Sequence, residues 1–467
     1  MTHFIVQLSK YLMITLILLY VLSCFWYLIQ KKDDRRRQIA LWQICLIVMF
    51  DTLAHLVLFE QTGDLTIWIA YGSQMMFLVI YQLVFRVFYR DASRLLMNHL
   101  CMLLFVGLIM QTRLDPSKAW TQFLIAGLSA AVTSVVPLIT RYWKKIYHLR
   151  WLFGLFGIVA LGVTFLTAQT EYGAKLSVTI GNVSMQLSEI VKVSFVFFVA
   201  ASFQKSTKFR QIAITTIVAA FHVLVLVACR DLGGALILFL SYVFMLYVAT
   251  CNGWYFLTGM GGGAGACMLA YKLFTHVQVR VQTWLDPWSD VTNKGWQMAQ
   301  SLFAIGAGGW FGVGVCEGMP GTIPVVIKDF IFAAVCEEMG GIFAICLILI
   351  YISCLIHFMG TAMLLRENFH KLVSFGLSSV FAVQILLNIG GVTKCIPLTG
   401  VTLPLISYGG SSVLSTFLLF HVVQGFILML KNEERKSEKQ DKKEITDRDI
   451  YNRKKRGNKS SSSVQSK

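Results

Sequence analysis

Apolar runs long enough to cross a bilayer recur from about residue 11 to residue 430, and this recurrence limits the chain more than any other feature. A run of roughly 18 residues or more spans the hydrocarbon. Backbone polar groups have no water partners there, so such runs fold as helices. About thirteen are readable, at 11–30, 39–59, 66–88, 99–111, 119–140, 151–169, 188–203, 211–229, 232–250, 254–274, 330–365, 371–392 and 409–430. The expected fold class is therefore an all-α polytopic membrane protein. The run 330–365 exceeds what a span needs, which predicts tilt or extension past the bilayer. The first run is too long and aromatic for a signal peptide and lacks an A-x-A-like end, so it reads as a retained span. Only 14% of residues are charged, against about 25% in soluble domains. Mean hydropathy is +0.66. A soluble globular protein is excluded.

The net charge of +17 is a topology signal in such a chain, not a nucleic-acid signal. Basic clusters follow the odd-numbered spans: Lys31, Lys32 and Arg35 to Arg37; Arg86, Arg90 and Arg94; Arg141, Lys144, Lys145 and Arg150. Lys205, Lys208 and Arg210 continue the series, as do Arg366 and Lys371. Simple alternation puts all of them on one side, with the N-terminus outside and the C-terminus cytoplasmic. Residues 431–467, ending NKSSSSVQSK, read as a basic, disordered cytoplasmic tail. The same counting puts two polar segments outside, 275–328 and 393–408. A connection of about fifty residues between spans is more often functional than idle. Its Trp284, Trp288, Trp296 and Trp310 suit a membrane–water interface. The eleven cysteines lie singly, mostly in apolar runs, and read as small core hydrophobes. No internal repeat points to an inverted-repeat transporter.

The chemistry-bearing residues concentrate in the outer segments. Asp286 and Asp290 flank Pro287, which disfavours helix before it and makes a turn presenting carboxylates. An ordinary solvated loop explains that spacing equally well. Gln297, Gln300 and Ser301 follow, then Gly306, Gly308, Gly309, Gly312 and Gly314, which allow tight turns and close ligand approach. No strand precedes these glycines, so a dinucleotide fingerprint is rejected. Asp329, Glu337 and Glu338 sit at the edge or interior of a span, where ionisable groups are costly and point to function. Ser188 opens a span in which Glu189 and Lys192 share a face and can pair; that pair serves structure as readily as substrate. Asp231 suits a helix N-cap, Asp51 and His55 a buried polar pair, and Gly259 to Ala266 close helix packing. Pro397 and Pro404 break helix in 394–412, and Gly409 and Gly410 permit turns. Such backbone at membrane depth is buried in protein or lines a polar cavity, where Ser407, Ser411 and Ser412 could contact a sugar or pyrophosphate.

The segments LSEIVK (187–192), RDLGGAL (230–236), RVQTWLDPWSD (280–290), GWQMAQSLFAIGAGGWFGVG, DFIFAAVCEEMG and PLTGVTLPLISYGGSS occur in this order. Together they resemble the SEDS family (shape, elongation, division and sporulation), the group of FtsW, RodA and SpoVE. The likeness covers about 98–430, so the chain reads as an N-terminally extended member. The expected domains are 1–95, three extra transmembrane helices; 96–430, a ten-helix core with outer loop 275–328; and the tail. The resemblance implies a peptidoglycan glycosyltransferase that polymerises lipid II at the outer face of the cytoplasmic membrane, in elongation, division or sporulation. It also implies a class B penicillin-binding protein as partner. The family's essential acid matches Asp290, and Asp286 ranks second. A carboxylate there would remove the proton from the attacking sugar hydroxyl. Arg280 and Lys192, or a divalent cation (magnesium or manganese), would stabilise the departing pyrophosphate. Glu189, Gln297, Gln300, Ser301, Asp329, Glu338 and the three serines are the further substrate-binding candidates. An apolar cavity between spans would hold the polyprenyl chain. The sequence departs from the family pattern at Val325, Ile327, Lys328 and Arg230, which puts local substrate contacts in question. A lipid II flippase and a non-catalytic scaffold for a penicillin-binding protein are the alternatives.

Overall fold

The computed structural model describes residues 2–140, 143–168, 170–171, 174–175, 177–180 and 183–462. The first three helices are α1 (Thr2–Ile29), α2 (Asp33–Thr62) and α3 (Thr66–Phe88). Asp33 and Asp34 in the first turn of α2 complement the positive end of its dipole. Gly63 stops the helix in the left-handed region, φ 67°. Next come α4 (Arg94–Leu114), α5 (Pro116–Thr133), α6 (Val136–Thr140) and α7 (Arg150–Thr167). Asp115 caps α5 by accepting from Lys118 N at 3.2 Å, with Pro116 at the first helical position.

Two short antiparallel hairpins follow α7. They pair β1 (Thr170–Glu171) with β2 (Ala174–Lys175) and β3 (Val178–Ile180) with β4 (Val183–Met185). The chain continues through α8 (Leu187–Lys205), α9 (Phe209–Ala228), α10 (Leu232–Thr250) and α11 (Gly253–Leu273). After α12 (Thr275–Leu285) and α13 (Trp296–Gly308) come α14 (Ile331–Met339), α15 (Gly341–Leu364), α16 (Asn368–Val392) and α17 (Gly410–Ser462).

Among the described residues, twelve helices are long and apolar enough to cross a membrane. The expected run 254–274 is not one of them, because its glycines dilute the apolar content of α11. That helix still lies along α10. A Cβ at Gly259 would meet Val243 at 3.1 Å, and one at Gly263 would meet the Phe239 ring at 2.5 Å. Glycine thus lets the pair pack closely, as the sequence pattern suggested, yet α11 has no buried residue of its own. The expected run 330–365 is broken into two helices, and only α15 qualifies as a span. Gly340, at φ 91°, separates α14 from α15, a conformation open to glycine and costly for other residues.

The core is one continuous apolar body. Helix α4 is buried along nearly its whole length, packed chiefly against α2 and α5, and α8, α16 and α17 are also largely buried. The N-terminal helices join this body: Phe50 of α2 stacks on Phe343 of α15 at 5.6 Å. Asp51 and His55 form the predicted buried pair, Nδ1 to Oδ1 3.4 Å. All eleven cysteines are free thiols. The tail differs from expectation: α17 continues as helix through Ser462. Residues 431–456 are rich in Glu, Lys and Arg and lack glycine and proline, which favours helix, and Arg435 pairs with Asp91 at 2.7 Å.

Candidate active site

One end of the bundle gathers the starts of α1, α3, α5, α8 and α10 with α12, α13, α14 and the α16–α17 connection. The most connected polar group lies just inside this end. Lys192 on α8 donates to Glu189 Oε2 at 2.7 Å and to Gln384 Oε1 at 2.7 Å. Glu189 Oε2 also accepts from Ser415 Oγ at 3.1 Å. The pair is buried, and a buried ion pair is tolerated when further hydrogen bonds satisfy it. Gln384 Nε2 reaches the Thr402 carbonyl at 3.1 Å and Ser412 Oγ at 3.4 Å, and Thr402 Oγ1 donates to Ser412 Oγ at 3.0 Å. Ser411 Oγ accepts from Gln186 N at 2.9 Å. Helices α8, α16 and α17 are thereby joined to the irregular segment 393–409. The gap beside Glu189 and Lys192 is almost closed, about 10 Å³, so the expected polyprenyl cavity is not at this point.

A second group lies against the first. Asp231 caps α10, its Oδ1 accepting from Gly234 N at 2.8 Å, and its Oδ2 accepts from Ser188 Oγ at 3.2 Å. Burial raises the Asp231 carboxyl above its ordinary value; Glu189 adds to this and Lys192 opposes it. Arg280 on α12 donates to the Thr399 carbonyl at 3.2 Å. Desolvation lowers its pKa, while the nearby Asp329 and Asp231 hold it up. Asp329 is raised by burial against the pull of Lys328 and Arg280. Arg280 and Asp329 converge on Gly400, at φ 75°, where a Cβ would sit 3.6 Å from Asp329 Oδ2 and 4.0 Å from Arg280 Nη2. An unhindered glycine thus lies between a cation and an acid.

Asp290 stands apart from both groups, half-buried in the turn between α12 and α13. Its Oδ1 accepts from Asn293 Nδ2 at 3.1 Å and its Oδ2 from Lys294 N at 3.4 Å. Its carbonyl accepts from Gly295 N at 2.9 Å, so the turn closes on itself. Asp286 ends α12 exposed, its Oδ1 accepting from Trp288 N at 3.0 Å. Trp284, two residues back, donates from Nε1 to the Lys394 carbonyl at 3.1 Å and ties this turn to the irregular segment. Gln297 and Gln300 are half-buried on α13.

Three further candidates hold structure. Ser301 is buried and donates to the Val392 carbonyl at 3.3 Å. Ser407 Oγ accepts from Leu403 N at 2.8 Å inside the irregular segment. Glu338 pairs with Arg113 of α4 at 3.2 Å, and Glu337 accepts from Met319 N at 2.8 Å. Burial pushes Glu338 up to about 7, with Arg113 opposing. The glycine-rich stretch interlocks with this acidic pair through backbone bonds. Val313 N meets Glu337 O and Gly314 N meets Glu338 O, both at 3.0 Å, and Gly341 N meets Gly309 O at 2.9 Å. A Cβ at Gly308 would lie 2.0 Å from the Cys336 carbonyl oxygen, and one at Gly312 2.3 Å from that of Glu338. These glycines make the tight turns that the sequence suggested, with Gly309, Gly312 and Gly314 at positive φ, and let the two chain segments pack closely. Val325 occupies the left-handed region at φ 57°, uncommon for a β-branched residue, just where the sequence departs from its expected pattern.

Gln384 and Asn388, one helical turn apart on α16, were missed in the sequence. Asn388 Nδ2 donates to the carbonyls of Asp329 at 3.0 Å and Val401 at 2.7 Å. Two amides four residues apart in an apolar run were the available signal. Among the described residues, no three His, Cys, Asp or Glu side chains gather into a metal site, so no step is assigned to a divalent ion.

Fold and site together define a multi-pass membrane protein with an acidic turn over a buried ion-pair lattice. The family model FTSW_RODA_SPOVE, described as cell cycle protein, matches residues 93–432. The chain belongs to this family. It is 32% identical over 421 residues to the peptidoglycan glycosyltransferase RodA of Mycobacterium tuberculosis (strain ATCC 25618 / H37Rv), covering 83% of this chain and 90% of that one. Likeness to stage V sporulation protein E of Bacillus subtilis (strain 168) is 31% over 285 residues, covering 58% and 75%. In fold, the chain is similar to a component of a solved peptidoglycan synthase complex (TM-score 0.62, 21% identity, 72% and 97% covered). It is also similar in fold to the rod shape determining protein RodA of Thermus thermophilus (TM-score 0.53, 20% identity, 72% and 96% covered).

Proposed function

We propose that this chain is a peptidoglycan glycosyltransferase that polymerises lipid II at the outer face of the cytoplasmic membrane. The family membership carries this reading, together with a carboxylate presented on a self-closed turn at the same end of the molecule as the buried Arg280 and Lys192. Asp290 acts as general base, accepting the proton of the acceptor sugar hydroxyl as oxygen attacks the anomeric carbon and the lipid diphosphate leaves. Asn293 and the Lys294 amide orient its two oxygens. Fixed geometry of this kind is what general-base chemistry needs, and such a base contributes about 10²–10⁴ in rate. Arg280 faces the developing charge on the diphosphate, and Lys192, held in its buried pair with Glu189, supports the site from behind. Asp286, Gln297 and Gln300 line the approach for the sugars, and Asp329 steadies Arg280. Direct displacement inverts the anomeric centre.

The N-terminus faces outside and the C-terminus the cytoplasm, the orientation supported by the distribution of basic residues. Residues 1–95 form an extension, 96–430 the catalytic body and 431–467 a cytoplasmic tail. A class B penicillin-binding protein is the partner that crosslinks the strands made here. The test is reconstitution with that partner and labelled lipid II. Long glycan strands support the reading. Loss of product in Asp290→Ala at unchanged expression supports the assignment of the base. Transport of lipid II across vesicles with no polymer formed would favour a flippase instead.

A further inference from the structure

A cleft of about 380 Å³ separates the N-terminal extension from the core. Leu58 of α2 and Ile67 of α3 form one side, and Leu108 of α4 with Phe123 of α5 the other. It lies at the same end as the polar turns, because Thr62, Asp64 and Thr66 of the α2–α3 connection and Arg113 and Pro116 of the α4–α5 connection line its mouth. Gln74 stands at its floor, bonded to His55 Nε2 at 3.2 Å. Toward the other end, Phe77 meets Phe123 edge-on at 6.3 Å and narrows the gap between α3 and α5. Ile69 and Trp120 on its rim are 64% and 44% exposed. The opening therefore faces sideways, toward whatever surrounds the bundle, and around membrane-crossing helices that is lipid.

The size falls within the range of about 300–1,000 Å³ typical of ligand pockets. The chemistry at the mouth selects among lipids. Arg113 gives Nε to Glu338 and Nη2 to the Gly318 carbonyl, and its side chain remains 26% exposed beside the cleft. A guanidinium carries five donors in a fork that matches phosphate oxygens. The acid at the mouth, Asp64, is turned onto Thr66 N at 2.8 Å.

We propose that the cleft between α2–α3 and α4–α5 binds one membrane glycerophospholipid with an anionic headgroup. Its phosphate sits on Arg113 and one chain lies along Leu58, Ile67, Leu108 and Phe123. The lipid fills the wedge that opens between the extension and the core beyond the Phe77–Phe123 contact. It thereby fastens α3 to the catalytic body, and it shares a guanidinium with Glu338 and the 313–319 segment.

The test uses the full chain, purified in mild detergent, stripped of lipid and examined by native mass spectrometry. Phosphatidylglycerol, phosphatidylcholine or a polyprenyl monophosphate is added at matched concentration. The expected result is one retained phosphatidylglycerol, favoured over phosphatidylcholine by about fivefold, the worth of one surface cation near an anionic lipid. Ala119→Trp, which fills the cleft from α5, removes the retained lipid. Arg113→Met keeps chain binding but loses the headgroup preference. Where Ala119→Trp does not fold, Ala70→Leu blocks the opposite wall and is expected to give the same loss. Equal retention of the two phospholipids, retention of the polyprenyl phosphate alone, or wild-type lipid binding by the cleft-filled variant would each overturn the proposal.

Discussion

The Asp290 turn and the Glu189–Lys192 lattice lie at the same end of the molecule and are built in opposite ways. The lattice is held from three helices: Lys192 reaches α16, Glu189 reaches α17, and both are nearly inaccessible. The turn is held almost entirely by itself, through Asn293, Lys294 and Gly295. A group whose removal leaves the protein intact is free to be selected for reactivity. A group wired into three helices answers to stability first.

The sharpest way to break this contrast is Asp290→Asn. Polymerisation should fall by about 10²–10⁴, while thermal unfolding stays within about 0.5 kcal/mol of wild type; a large loss of stability would put Asp290 in the lattice class. Next is Lys192→Met, which leaves Glu189 buried and unpaired. Breaking such a pair costs about 3–5 kcal/mol, read as a lower unfolding midpoint in detergent. The double variant with Glu189→Gln should recover part of that loss, and simple additivity would count against the pairing.

Glu338 asks whether a buried acid outside the lattice behaves as lattice members do. Its carboxyl is raised from 4.5 to about 7. Its contribution is therefore fully present below about pH 4.5 and is lost as pH rises through about 7, because the folded state holds the proton more tightly than the unfolded one. Wild type should lose up to about 3 kcal/mol relative to Glu338→Gln between pH 5 and 8, seen as diverging melting curves. Parallel curves would mean the acid is already charged beside Arg113. The smallest effect is expected from Asn293→Ala. It removes one hydrogen bond to Asp290, worth about 0.5–1.5 kcal/mol, so turnover should drop by a few-fold to about tenfold with the melting point unchanged.

Much of this architecture can be read from the apolar runs, because length and composition alone decide which segments can cross lipid. Two of the discrepancies within the membrane-spanning body have specific causes. The break at Gly340 is hidden in an apolar stretch, and only the backbone angle there reveals it. Helix α11 carries glycines that lower its hydropathy while letting it lie against α10. The ion pair of Glu189 with Lys192 follows from their spacing of three on a helix. Their third partner could not be found that way, since Gln384 lies 192 positions from Lys192 and only the fold joins them. For Ser301 and Ser407 the sequence shows a hydroxyl but not its partner, and only the fold shows the backbone groups each one bonds.

The backbone seam between 308–314 and 336–342 has an experimental consequence. Saturation mutagenesis would score Gly308, Gly312 and Gly340 as intolerant as any reacting group, since even alanine collides with main-chain atoms across the seam. Amide exchange would tell the two kinds of intolerance apart: the N–H groups of Val313, Gly314 and Gly341, bonded across it, should exchange slowly, whereas those in the Asp290 turn should exchange fast.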